Sequence, residues 1–275
     1  MKERENETFR VIVNEKEVFV PKSTDVFALR ARFKPDGNLI IYNGFPITEN
    51  RTLNENDEIV LITKGEIPSP EEFECLMTAR HTPGVHQKIK CSVVGIAGLG
   101  GLGSPVAVAL TRIGVGTLIL ADFDLVEPSN LNRQQYFSHQ IGIPKTEALR
   151  ENLQKINPYV KLRIHREWVD PDNVQRIFGE AQVIVEAFDR ADQKAILISA
   201  ISEKLPETYI VAASGVAGYG DSNEIKTVRV SRRIFVVGDQ KTAAQPGTGL
   251  MAPRVGIAAH HQANLVLRIL LGEEA

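Results

Sequence analysis

Apolar positions in the first 65 residues fall in short strand-like stretches broken by polar turns. Residues 9–13 and 17–20 flank a turn at Asn14, Glu15 and Lys16, a helix is predicted within 25–33, and residues 38–42 and 57–62 supply two more strands. Turn residues separate them at Asn43, Gly44, Glu55 and Asn56. The order is ββαββ. Pro68 and Pro70 then mark a linker over 66–70, and residues 71–77 predict a short lead-in helix. From Cys91 onward apolar runs alternate with amphipathic stretches: strands predicted at 91–98, 117–122, 160–164, 181–189 and 209–213 are interleaved with helices at 104–114, 146–156 and 172–178. That alternation predicts an α/β domain with a mostly parallel sheet. Residues 225–237 add a C-terminal antiparallel β-rich part, and a closing helix comes after it over 255–271. The expected domains are 1–65, a linker with lead-in helix over 66–77, and 78–275.

The first strand of the larger domain runs into GLGGLG at 98–103 and then into the helix that Ser104 and Pro105 open. Strand, glycine turn and helix in that order make a phosphate cradle. Gly98 permits the tight turn, Gly100 lets the backbone approach a phosphate, Gly103 lets helix pack on strand, and free N–H groups at the helix start face the anion. Pro105 suits the first helical turn, because its missing N–H would have no partner there. A GxGxxG alone is a weak signal. Its flank strengthens it: the next strand ends in Asp122, about 20 residues on, where a carboxylate holds ribose hydroxyls.

Downstream of Asp122 the chain is dense in polar and cationic side chains: Asp124, Ser129, Asn130, Arg133, Gln134 and then Lys145 ahead of the next helix. A dinucleotide pyrophosphate can be held largely by backbone N–H groups, whereas a triphosphate under attack needs cations to offset charge developing in the transition state. Arg133 and Lys145 beside one glycine loop point to the second. A nicotinamide-dependent oxidoreductase would use the same loop and Asp122, but it leaves Asn130, Arg133 and Lys145 without a common task. Asp189 ends a later strand. Strand carboxyl ends share one crevice in an open parallel sheet, so Asp189 should face the glycine loop; its other reading is a helix N-cap.

Taken together, GLGGLG at 98–103, DFD at 122–124, SNLNRQ at 129–134, PK at 144–145 and INP at 156–158 closely resemble the ThiF/MoeB adenylyltransferases of the ubiquitin-activating enzyme superfamily, over about 80–272. Residues 211–221 and 251–256 look most like its ThiF branch. The resemblance implies a Rossmann-like adenylating domain that uses ATP and magnesium. Its substrate would be a ubiquitin-like sulfur carrier, ThiS of thiamine biosynthesis, whose C-terminal glycine carboxylate is adenylated. It places Gly98, Gly100, Gly101, Gly103, Asp122, Asp124, Ser129, Asn130, Arg133, Gln134, Lys145 and Asp189 around ATP, with Asp189 holding magnesium. Arg133, Lys145, Asp189 and Arg80 would be catalytic. Arg80 is the positional match for an arginine that in relatives reaches the phosphates, often across a homodimer interface. The loop 239–249 reads as a crossover segment over the carrier's tail. The ββαββ unit is similar to the β-grasp fold of carriers such as ThiS, with one departure: the chain continues past Gly65, so no free carboxylate exists there. Substrate mimic, docking module, autoregulatory piece and folding support all stay open for it.

Composition narrows the partners. Of 275 residues 43% are hydrophobic and 24% charged, and 32 basic against 34 acidic residues give no field for nucleic acid or an anionic membrane. No apolar run has the length of a membrane span, and the charged start, Met1 to Glu7, does not read as a signal peptide, so a cytoplasmic protein is expected. The cysteines, Cys75 and Cys91, form no Cys-x-x-Cys pair, so the four-thiolate zinc site of many relatives cannot be built. Cys91 opens a buried strand and reads as inert packing. Cys75 has no activating neighbour. His81 and His86 have no acid or cysteine to complete a metal set, and the adjacency of His260 and His261 puts them on different helix faces, against joint ligation. Without a cysteine after Gly238 the chain lacks the obvious thiol for a thioester or persulfide step, and adenylation is the chemistry that remains. An activating enzyme for a molybdopterin- or cysteine-synthesis carrier, and a non-catalytic nucleotide-binding scaffold, are the other readings.

Overall fold

In the computed structural model, which describes residues 7–273, the alternation of Phe9, Val11 and Val13 becomes β1 (Thr8–Val13), buried on that face. The charged start over residues 1–6 lies outside the described residues. Asn14 and Glu15 take positive φ (46° and 65°), which turns the chain into β2 (Lys16–Pro21), paired Val13 to Lys16. Asp25 caps α1 (Val26–Phe33), its Oδ1 accepting the Ala28 N–H at 2.7 Å. β3 (Leu39–Tyr42) and β5 (Glu58–Ile62) complete the expected set, and β4 (Phe45–Ile47) adds a strand that the sequence pattern does not announce. The sheet order is β2-β1-β5-β3-β4, with β1 and β5 parallel. Val11, Val20, Val26, Leu29, Ile59 and Leu61 form its own core. α2 (Pro70–Arg80) is capped by Ser69 and extends the expected lead-in helix at both ends. Contacts divide the chain into a unit ending at Pro83, which includes α2, and one beginning at Gly84.

The second unit opens with α3 (Val85–Ile89), β6 (Val93–Ala97), α4 (Gly103–Arg112), β7 (Thr117–Ala121), α5 (Lys145–Ile156) and β8 (Lys161–His165). The chain then returns through α6 (Val174–Phe178) to β9 (Val183–Glu186), α7 (Ala191–Lys204) and β10 (Tyr209–Ala213), and ends with β11 (Lys226–Arg229), β12 (Ile234–Gly238) and α8 (Ala252–Leu271). Seven strands lie in the order β11-β12-β10-β9-β6-β7-β8, all parallel except β11. The antiparallel part expected near the C-terminus is therefore one edge strand on the same sheet. Strand periodicity sorts the core into two layers. Val94, Ile96, Leu118, Leu120, Val183 and Val185 pack with α4, α5 and α8, while Ile119, Ala121, Ile184 and Ile210 pack with α6 and α7.

The chain reverses its direction of travel across the sheet between β6 and β9, and a crevice opens there at the strand carboxyl ends. Cys91 corrects an expectation: it is exposed, two residues ahead of β6. Among the described residues no helix is long and apolar enough to cross a membrane.

Candidate functional site

The crevice is a cleft of about 630 Å³ within the second unit. Its floor is the glycine loop. Gly98 sits at φ +90°, and a Cβ there would come within 2.8 Å of the Ala187 carbonyl oxygen; a Cβ on Gly103 would overlap the carbonyl of Gly98. Both demands match the roles read from sequence. Side chains brace the loop from below: Ser104 Oγ donates to the Gly100 carbonyl at 2.7 Å and accepts the Gln135 N–H at 3.1 Å, and the Tyr136 hydroxyl donates to the Leu99 carbonyl at 2.8 Å. Burial, with the charges of Asp122 and Asp124 behind it, pushes the Tyr136 phenol well above its usual range, so it stays a neutral donor.

Asp122 follows the last residue of β7. Its Oδ2 accepts the Leu99 N–H at 2.6 Å and its Oδ1 the Asp124 N–H at 2.8 Å, so it ties the glycine loop to the next turn while facing the cleft. Burial raises its carboxyl above the ordinary value, against the pull of Lys145 and of those two N–H groups. Lys145, the first residue of α5, is nearly buried and donates to Asp124 Oδ2 at 2.7 Å. Arg133 is held by the Asn132 Oδ1 at 2.8 Å, while its Nε and the Gln134 Oε1 are buried without a hydrogen-bond partner.

Several predicted residues converge on this cleft: Gly98, Gly100, Gly101, Asp122, Asp124, Arg133, Gln134, Lys145 and Asp189 all line it. Others stand behind it. Gly103 is buried in packing. Asn130 is buried, accepting the Glu127 N–H at 3.0 Å and anchoring the turn whose next residues are Arg133 and Gln134 through its carbonyl. Ser129 is exposed, and its carbonyl receives Arg133 Nη1 at 3.3 Å. Arg80 lies in the first unit, where it pairs with Glu15 at 2.8 Å, and it is not among the lining residues. Asp189 is exposed three residues past the end of β9, and the N-cap of α7 is Arg190, so Asp189 does not cap that helix.

The structure adds residues that the sequence pattern does not single out. Phe123 and Trp168, just past the ends of β7 and β8, stack tilted with centroids 4.7 Å apart on the cleft wall. Glu186, the last residue of β9, is fully buried and holds Lys194 at 2.9 and 3.1 Å. Burial raises the Glu186 carboxyl, against Lys194 and the N–H groups of Phe188 and Ala213. Opposite, Thr242, Ala243 and Ala244 line the cleft from a loop clasped by Asp239. Asp239 Oδ1 accepts the N–H groups of Lys241 and Thr242 at 2.7 and 2.9 Å, and Oδ2 accepts the Thr242 hydroxyl and Arg254 Nη2, each at 2.7 Å.

This glycine loop, flanked by Arg133 and Lys145 with Asp122 just past the next strand, suits a nucleotide polyphosphate. The profile described as ThiF family matches residues 76–275, and one described as ThiS-like ubiquitin matches residues 9–65. The chain belongs to the ThiF family. Among relatives of this ThiF-family chain, the sulfur carrier protein ThiS adenylyltransferase of Escherichia coli is 31% identical over 194 residues, 68% of this chain and 76% of that one. The ubiquitin-like modifier-activating enzyme 5 of Caenorhabditis elegans is 45% identical over 80 residues, 29% of this chain, and the matched stretch is only 19% of that enzyme. The fold matches E. coli tRNA N6-threonylcarbamoyladenosine dehydratase TcdA in complex with ATP, at a TM-score of 0.65 and 21% identity, over 71% of this chain and 92% of that one.

Proposed function

We propose that this protein is an ATP-dependent adenylyltransferase that activates the C-terminal carboxylate of a ubiquitin-like sulfur carrier. The observation that carries the reading is the pair of cations, Arg133 and Lys145, fixed beside a glycine loop that has Asp122 at its ribose end. ThiS is the carrier proposed, supported by the E. coli relative and by the ThiS-like first unit.

In this reading the loop N–H groups and the start of α4 receive the phosphates, and Asp122 keeps a lone pair on each oxygen for the ribose hydroxyls. Phe123 and Trp168 offer the adenine a face. A carboxylate oxygen of the carrier attacks the α-phosphorus, the bond to the β-phosphate oxygen breaks, and pyrophosphate leaves with the acyl adenylate behind. Arg133 and Lys145 stabilise the charge that grows on the phosphate oxygens. No general base is needed, because a carboxylate is ionised at neutral pH. Asp189, exposed on the cleft wall, fits magnesium, an ion that takes one or two protein carboxylates and otherwise water and phosphate oxygens. Bound there, it would offset phosphate charge.

Carrier-dependent exchange of labelled pyrophosphate into ATP tests the reading. Exchange with a ThiS-type carrier is expected. Exchange only with a molybdopterin- or cysteine-synthesis carrier would reassign the substrate. ATP binding without exchange on any carrier would make the protein a nucleotide-binding scaffold.

A further inference from the structure

Lys194 is a cation in an unfavourable place. It is the fourth residue of α7, where the helix dipole opposes positive charge, and its side chain is only 21% exposed. What holds it is Glu186, fully buried, with Lys194 Nζ at 2.9 and 3.1 Å from its two oxygens and the Phe188 N–H at 2.7 Å from one of them. A buried ion pair seldom stabilises a fold more than an apolar pair of the same volume would. Stability alone therefore gives no reason for it. The pair does fix an ammonium at the cleft wall, and of its three N–H donors two serve Glu186, leaving one for a ligand.

Position says which ligand. β9 lies between β6, which carries the glycine loop, and β10, which leads into Ser214 and Gly215. On the β6 side stand Asp122 and the aromatic pair. On the β10 side the lining includes Ser214, Gly215, Ala217, Ala243 and Ala244 beside the larger Val216, Thr242 and Leu250, so much of that wall carries small side chains and leaves room for an extended chain with little side chain. Lys194 stands at the junction of the two halves. A carboxylate that must approach a triphosphate meets like-charge repulsion, and a fixed ammonium at that junction screens it.

We propose that Lys194 contacts the acceptor carboxylate and holds it in line with the α-phosphorus, and that Glu186 is the positioning residue that fixes Lys194. The proposal rests on the adenylation reading.

The test uses full-length protein, a ThiS-type carrier and ATP, with ATP affinity measured by calorimetry and kcat/KM for the carrier by pyrophosphate exchange. Lys194→Met is expected to lower kcat/KM for the carrier on the order of 10²-fold, the scale of one lost transition-state contact, with ATP affinity kept within about twofold and Lys194→Arg recovering part of the loss. Glu186→Gln should lower kcat more than it raises KM. If Lys194→Met does not fold, the paired Glu186→Gln/Lys194→Met variant removes both charges and must show the same loss. Unchanged kcat/KM overturns the proposal in favour of a structural ion pair. A parallel fall in ATP affinity overturns it by assigning Lys194 to the phosphates. Wild-type protein that binds ATP yet shows no exchange sinks the adenylation reading, and the proposal with it.

Discussion

At the scale of single residues, Arg133 carries the sharpest expectation. Its side chain lines the cleft and packs beside Gly101 of the glycine loop, which sets its charge next to the proposed phosphate site. Arg133→Ala should cost on the order of 10²-fold in exchange rate, with the thermal midpoint little changed because its remaining bonds reach only the turn that carries it. Near-normal exchange would remove the main reason for preferring ATP chemistry. Lys145→Ala should cost as much in rate and also lower stability, since Asp124 then loses its partner. Asp189→Asn tests magnesium separately: exchange should need a higher magnesium concentration while ATP binding without metal stays the same, and an unshifted magnesium dependence would remove Asp189 as the ligand. Much of the site is legible in the sequence because the glycine loop, Asp122 and Arg133 follow one another along a single stretch of chain. Phe123 with Trp168 and Glu186 with Lys194 are not. Each pair joins residues on different elements, and singly they read as an exposed aromatic, the end of an apolar run and a helix-surface lysine.

At the scale of elements, the loop between β12 and α8 is held by one carboxylate. Asp239 accepts from four donors, and Arg254, itself 2% exposed, reaches from it to Glu224 at 3.4 Å and the Asp221 carbonyl at 2.9 Å. Burial works against the charge of Asp239, yet the N–H and hydroxyl of Thr242, the Lys241 N–H and Arg254 together hold its carboxyl well below the usual range. A depressed folded value means that this stabilisation is complete above the ordinary value of 3.8 and is lost as pH falls through the folded value. Asp239→Asn should therefore cost on the order of 3 kcal/mol at neutral pH, because the buried Arg254 loses its shortest carboxylate contact and keeps only the longer one to Glu224, and the penalty should shrink in acid. Urea melts at pH 7 and pH 3 check the sign; a penalty that grew in acid would contradict it. The sequence marks this loop as a crossover segment but not its clasp, because Asp239 and Arg254 stand 15 residues apart on either side of it. β4 escapes the sequence pattern for a different reason. Phe45, Pro46 and Ile47 show no alternation to announce a strand, and only the turn at Asn43 and Gly44, both at positive φ, aligns them with β3.

The whole molecule joins a ThiF-family unit to a ThiS-like one, of the same kind as the substrate proposed for it. The first unit has its own core and its own sheet, and its match to ThiS-like ubiquitin ends at Gly65. There a carrier would present a free carboxylate. Here Gly65 sits in a turn at φ +82°, with the Glu66 N–H donating to the Thr63 carbonyl at 3.2 Å, and the chain runs on into α2. A unit shaped like the carrier but without its reactive end can compete for the carrier's surface and cannot be adenylated. If it competes, being held on the same chain would give it an effective concentration of about a millimolar, and even weak docking would raise the apparent KM for the true carrier. A truncation starting at Gly84, where the contacts divide, should stay folded and bind ATP as tightly as the full chain, with a lower carrier KM. Residues 1–83 added back as a separate chain should inhibit the truncated protein in competition with the carrier. If the truncated protein binds ATP but has lost exchange, and residues 1–83 restore it, the first unit is part of the carrier's binding surface and not its competitor.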